Sequence, residues 1–178
     1  DEVGKNFEPG RMRFSGNDLD FAIANEGFFT IKTPQGERFT RNGHFQMDSE
    51  GRIVTNEGYV VLGEKGAITI KNGPVHVDES GHVHVDGKIS DSFRLVRFRH
   101  QDQLQKLGRG FFAPVNKDDL PKVSTDIQIK QGMLEDSNVN SMLEMTRMIS
   151  ATRAYESVHK ALSRIDRLDE KAISMVQA

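Results

Sequence analysis

Two hydrophobic periods divide this chain. Between Leu19 and about Gln131, short runs such as LDFAIA, GFFTIKT, ERFTR, RIVT, YVVLG, PVHVD, HVHVD, FRLVRFR and DIQIKQ follow one another, separated by Gly, Asn and Asp pairs. Alternation with a period of two puts every second side chain on one face of a sheet, so the pattern predicts a succession of short hairpins. Asn42-Gly43, Asn72-Gly73 and Asp86-Gly87 are expected at tight turns that need a positive φ. The fold class that follows is mainly β, an irregular β-barrel or sandwich of short hairpins. One short helix is expected inside it, HQDQLQKLG over 100–108, closed by Gly108. Residues 1–18, polar and turn-rich around Pro9-Gly10 and Ser15-Gly16-Asn17-Asp18, read as an extended arm.

After a junction beginning at 132, the period turns helical. Met142, Met145, Ile149, Thr152, Tyr155, Val158, Leu162, Ile165, Leu168, Ala172 and Met175 are separated by steps of three or four, and no Gly or Pro follows residue 138. Such a stripe is narrow, like a coiled-coil seam, and it predicts one long carboxy-terminal helix. Ser137 or Asn138 suits its N-cap, and Ser141 with Glu144 has capping-box spacing. A helix over 139–176 would be roughly 57 Å long, whereas a β domain of about 110 residues has a radius of gyration of about 13 Å. Most of the seam therefore cannot be covered by its own β domain. The chain offers no second helix of comparable length, so the seam calls for one from an upstream segment or from other copies. Val139, Met142, Met145, Ile149, Tyr155, Leu162 and Ile165 are the candidate assembly interface. The domain organisation is thus an arm (1–18), an all-β domain (19–131), and a junction with a coiled-coil-type helix (132–178).

Composition narrows the function classes. Charged residues make up 28% and apolar ones 36% of the 178 residues, enough for a folded domain but a lean apolar supply. The formal charge is −2 with neither sign in a long block, so a nucleic-acid or anionic-membrane surface is not indicated. Absence of cysteine removes disulfides, thiolate metal sites and cysteine nucleophiles. No apolar run approaches the ~18 residues of a membrane span, and DEVGKNFEPG lacks a secretory signal core. It also lacks an initiating Met, as a fragment or processed form would.

Little catalytic chemistry survives inspection. There is no Gly-x-Ser-x-Gly elbow and no P-loop, and Asp118-Asp119 and Glu135-Asp136 are adjacent loop carboxylates better read as solvated. No cofactor is expected. The histidines offer the sharpest alternative. In PVHVDESGHVHVDG a three-residue loop would oppose Val77 to Val83 and Val75 to Val85, setting His76 opposite His84 and Asp78 opposite His82 on the other face. His76, His82, His84 and Asp78 could then ligate a metal, but a solvated polar face explains the same alternation and is preferred. DSEGRIV and DESGHVHV echo each other, as hairpins that reuse one turn chemistry would. GFF at 27–29 and at 110–112 could stack a ligand, although alternation assigns one Phe of each pair to the core. Met142, Met145 and Met148 fit core packing or a seam that must accept non-identical neighbours.

Two longer stretches carry a family likeness. GMLEDSNVNSMLEMTRMISATRAYES closely resembles the carboxy-terminal signature of bacterial flagellar rod and hook proteins, through Leu134, Glu135, Ser137, Asn138 and Val139, then Arg153, Ala154, Tyr155 and Glu156. SGNDLDFAIANEGFFTI with FTRNGHFQMDSEGRIVTNEGYVVLG is similar to that family's paired strands, with Gly27, Phe28, Phe29 and Gly43 at matching positions. Within the family the proximal-rod branch looks most similar and the distal-rod branch second. The resemblance implies a structural subunit that stacks helically with copies of itself and with other rod and hook proteins, passing torque from motor to hook. It also implies an amino-terminal helix pairing with the carboxy-terminal one, and export through the flagellar apparatus without a cleaved signal peptide to the basal body outside the cytoplasmic membrane. Neither enzyme activity nor membrane insertion is expected. The competing reading is a metal- or glycan-binding β domain on a coiled-coil stalk.

Overall fold

The computed structural model describes residues 10–71, 73–116, 120–136, 142 and 145–160. The chain divides into two compact units, residues 1–138 and 139–178. The first is built from short strands: β1 (Met12–Phe14), β2 (Phe21–Ile23), β3 (Phe28–Thr33), β4 (Gly36–Thr40), β5 (Phe45–Met47), β6 (Ile53–Thr55), β7 (Val60–Gly63), β8 (Gly66–Ala67) and β9 (Val75–Val77). There follow β10 (His82–Val85), β11 (Lys88–Ser92), β12 (Leu95–Arg97), β13 (Leu104–Lys106), β14 (Phe111–Pro114), β15 (Lys122–Val123), β16 (Ile129–Gln131) and β17 (Met133–Glu135).

The largest sheet runs β13-β14-β4-β3-β7-β6-β5. On the side of β3 away from β4, β12 pairs with its first half, Phe29 against Leu95, and β7 with its second, Ile31 against Val61. Among the described residues it is joined by three smaller sheets, β11-β10-β9, β16-β2 and β1-β17. The fold is mainly β with a carboxy-terminal helix, as the two periods predict, and the sheets do not close into a barrel.

The core explains why β3 holds the centre. Phe29 lies in a large cluster with Phe21, Phe45, Phe93, Ile23 and Ile31, and Phe28 in a smaller one with Phe39, Val96, Phe98 and Leu104. Adjacent strand residues point to opposite faces, so one Phe-Phe step feeds two cores. The assignment of a single Phe per pair to the core is therefore corrected: Phe28 and Phe29 are both fully buried, and Phe111 joins the large cluster while Phe112 packs on the small one. The rings meet edge to face, Phe21 with Phe93 at 5.0 Å, Phe29 with Phe45 at 5.2 Å and Phe39 with Phe98 at 4.8 Å. Each such pair adds about 1 kcal/mol beyond the area it buries.

The helix expected over 100–108 is also corrected. It is a single 3-10 turn at Gln101–Gln103, after which Leu104 is extended with φ −71° and ψ 129°. Leu104 fills the small core and pairs with Pro114, whereas Leu107 stays exposed. Two turns of helix have little stability of their own, so burial of one leucine on a strand prevails.

Turn expectations divide likewise. Asp86 (φ 51°) and Gly87 (φ 72°) form the tight connection between Val85 and Lys88, and Gly73 has φ 93°, while Asn72 lies outside the described residues. Gly43, by contrast, has no positive φ; a Cβ there would run into the Phe21 carbonyl. Glycine at this position serves close backbone approach instead of a turn.

In the second unit, residue 142 and residues 145–160 are helical and all are exposed. The Thr146 and Thr152 hydroxyls donate to the Met142 and Met148 carbonyls, each at 2.9 Å. Ser137, Asn138, Val139, Ser141, Glu144, Leu162 and Ile165 lie outside the described residues.

Candidate functional site

The family-motif residues from both ends of the β unit converge on one salt bridge. Arg41, just past β4, and Glu135, in β17, are 94 positions apart, yet Arg41 Nε donates to Glu135 Oε2 at 3.0 Å and Nη2 approaches the same oxygen at 3.0 Å. Their side chains are only 13% and 14% exposed. The other carboxylate oxygen, Oε1, accepts the Gly10 backbone N–H at 2.7 Å. Arg41 Nη1 donates to the carbonyls of Asn25 (3.1 Å) and Gly27 (3.2 Å) in the turn before β3. Gly27 packs so closely that a Cβ would stand 2.6 Å from Ile127 Cδ1. Leu134 pairs with Arg13 across the β1-β17 ribbon. The motif thus assembles a largely buried ion pair, hydrogen-bonded on both partners, that joins four chain segments. Arg41 lies inside the FTRNGHF stretch, but nothing local to it indicates that its partner is Glu135.

A second knot adjoins the first. The buried Asp20 carboxylate contacts His44 Nδ1 at 2.6 Å and accepts from the Asn17 amide at 3.2 Å, and the Asp20 carbonyl accepts from Gly132 N–H at 2.8 Å. Gln131 Oε1 accepts from Val77 N–H at 2.9 Å, while its Nε2 donates to the carbonyls of Asp18 (2.8 Å) and Val75 (3.0 Å). A glutamine at a strand end carries no sequence signal for that role.

The histidine face has the expected register. Val77 opposes Val83, His76 opposes His84 and Val75 opposes Val85. The Asp78 carboxylate takes His82 Nδ1 at 2.9 Å and His84 Nε2 at 3.2 Å on Oδ2, and the N–H groups of Ser80 and His82 on Oδ1, each at 3.0 Å. Asp48 takes the N–H groups of Glu50 and Arg52 on Oδ1, each at 2.9 Å, and Arg52 Nε on Oδ2 at 2.8 Å. Gly51 and Gly81 close the two turns with φ 76° and 85°. The sequence echo is thus one turn chemistry used twice: an aspartate capping its own hairpin and pairing with the basic residue four positions on. Among the described residues no group of three or more His, Asp or Glu side chains is arranged to hold a metal.

Burial raises the Asp78 pKa, but the His82 N–H and the side chains of His84 and His82 outweigh it and hold the carboxyl at about 2, below its ordinary 3.8. A carboxylate depressed in the folded state stabilises above its unfolded pKa, and that contribution disappears as pH falls through the folded one. The stability of the wild type is therefore expected to fall more steeply than that of Asp78→Asn between pH 4 and 2. Urea midpoints across that range measure the difference, and equal slopes would exclude Asp78 as the source.

Comparison with known families and proteins agrees with these motifs. Residues 130–175 match the flagellar basal body rod FlgEFG protein C-terminal model, and residues 22–90 match the flagellar hook protein FlgE/F/G D1 domain. The chain is 38% identical over 174 residues to the flagellar basal-body rod protein FlgF of Caulobacter vibrioides, covering 96% of this chain and 71% of that protein. It is 32% identical to FlgF of Mesorhizobium japonicum (92% and 69% covered) and 31% identical to FlgG of Bacillus subtilis (90% and 66%). With both motif regions and nearly the whole β unit covered, the chain belongs to the flagellar basal-body rod and hook protein family.

Proposed function

We propose that this chain is a structural subunit of the bacterial flagellar basal-body rod, packing against copies of itself and against other rod and hook proteins. The observation that carries the proposal, read with the family membership, is the apolar seam left open on the helix. Met142, Met145, Ile149 and Tyr155 are 77%, 65%, 54% and 72% exposed at spacings of three to six residues. Contacts between unlike patches that do not close into a ring build an open helical assembly, the form a torque-transmitting rod needs. The activity is then packing, with no enzymatic step. The seam's methionines suit it, because a flexible thioether adapts to neighbours of different shape. A place in the basal body and passage through the export apparatus without a cleaved signal belong to the same proposal. Among the described residues no helix is long and apolar enough to cross a membrane. FlgF relatives are 29–38% identical and FlgG relatives 29–31%, and the higher upper end supports the proximal-rod branch.

Ile149→Asp tests the seam. Burying an unpaired carboxylate in a packed interface is costly, so self-association should weaken about tenfold or more, equivalent to about 1.4 kcal/mol. Motility of a complemented strain should be lost while the β unit stays folded. Unchanged sedimentation and unchanged motility would end the proposal.

A further inference from the structure

We infer that Glu135 is a positioning residue for assembly: acting through Arg41, it locks the two strands by which the chain enters and leaves the β unit into one antiparallel ribbon. The inference rests on the rod-subunit reading for its functional half and on geometry for the rest. β1 and β17 pair as Met12 with Glu135, Arg13 with Leu134 and Phe14 with Met133, and Asp136 N–H donates to the Arg11 carbonyl at 2.8 Å. The entering and leaving strands of the unit therefore lie side by side.

Three residue pairs are too few to hold a two-stranded ribbon in water. Phe14, at its end, is 74% exposed, and the Arg13–Asp136 pair at 3.4 Å is more than half exposed on both sides. Exposed pairs of that kind contribute little. Beside the Ser15 contacts to the Gly132 carbonyl at the far end, the protected polar contact is the Glu135 carboxylate, which takes Gly10 N–H from the segment before β1 and the Arg41 fork from just past β4. Arg41 is itself oriented by the Asn25 and Gly27 carbonyls, so the fork is aimed before Glu135 arrives. A buried ion pair is a weak source of net stability, but it is well suited to fixing register. Slipping β17 by one residue would turn Leu134 toward Arg41 and leave a largely buried guanidinium without its carboxylate. The pair therefore selects one register for both exits, which copies in an assembly need in order to meet identically.

The test uses the whole chain and its Glu135→Gln variant, which preserves shape and removes the charge. Amide exchange is followed at residues 11–14 and 133–136, with residues 28–31 of the core strand as the internal reference. Self-association is measured on the same samples. Ribbon amides are expected to exchange at least tenfold faster in the variant while the core strand is unchanged, with association weakened at least tenfold. Arg41→Gln should have the same effect, and the double variant should be no worse than either single one. Wild-type exchange at the ribbon, equal acceleration in the core, or additive effects in the double variant would each overturn the inference. If the wild type itself does not associate, the rod-subunit reading fails, and the exchange data still decide whether the lock exists.

Discussion

Gly43→Ala is expected to destabilise the β unit by about 3 kcal/mol or more, a large effect for one methyl group. The added Cβ would run into the Phe21 carbonyl and stand 3.2 Å from the Phe29 ring. Neither neighbour can yield cheaply. Phe21 N–H donates to the Gly43 carbonyl at 3.0 Å, and Asp20 and His44 bridge immediately beside it, so the two backbones are held together from both sides. The backbone dihedrals at Gly43 need no glycine. The cost is therefore steric, and a turn-forming replacement such as Asn would not rescue it. Gly87→Ala is the control: its φ is 72° with nothing within 4 Å of the added atom, so only the left-handed penalty of about 1 kcal/mol applies. Chemical denaturation of both variants measures the contrast. A Gly43→Ala loss no larger than that of Gly87→Ala would refute the close-approach account.

Phe29→Ala should have an effect as large or larger, about 3–5 kcal/mol. The ring is fully buried and meets Phe45 at 5.2 Å and Phe93 at 5.6 Å, both edge to face. Phe21 and Phe45 also approach Phe93, so the cavity opens where four rings interlock and where β3 pairs with both β4 and β12. Against a total stability of roughly 5–15 kcal/mol this is a substantial share. The thermal midpoint should fall by roughly 15 °C at about 4 °C per kcal/mol. Phe14→Ala, at a ring 74% exposed, should change the midpoint by little. A Phe29→Ala shift of only a few degrees would mean that the cluster collapses to refill the space.

The features legible in the sequence are those encoded within a few residues. The register of His76 with His84 follows from a three-residue loop and strict alternation, and the Asp86-Gly87 turn from two residues that tolerate positive φ. The echo between residues 48–54 and 78–85 reflects an aspartate that bonds its own hairpin, a contact spanning four positions. Where alternation lapses, local reasoning loses its footing. FFTI at 28–31 is buried throughout because cores press on β3 from both faces, and no property of those four residues says so. The helical spacing of Leu104 and Leu107 proved less decisive than the pocket that receives Leu104.

The candidate site shows the same division. The family motifs already marked Gly27, Gly43 and Glu135, but only the folded chain supplies the reason for each: an isoleucine packed against the first, a carbonyl against the second, a guanidinium beside the third. Gln131 carries no mark at all and Asp20 none beyond its place in the SGNDLDFAIANEGFFTI stretch, since their roles depend on groups brought together from distant strands. The sequence by itself determined the β character of the first unit, the helical character of residues 145–160 in the second, the Asp-based turn chemistry and the family, because periodicity and turn preferences are short-range properties of the chain. Only the tertiary structure decided which faces are doubly buried, which glycines yield to a neighbour, and that Arg41 meets Glu135, because burial and pairing depend on which distant segments close over a residue.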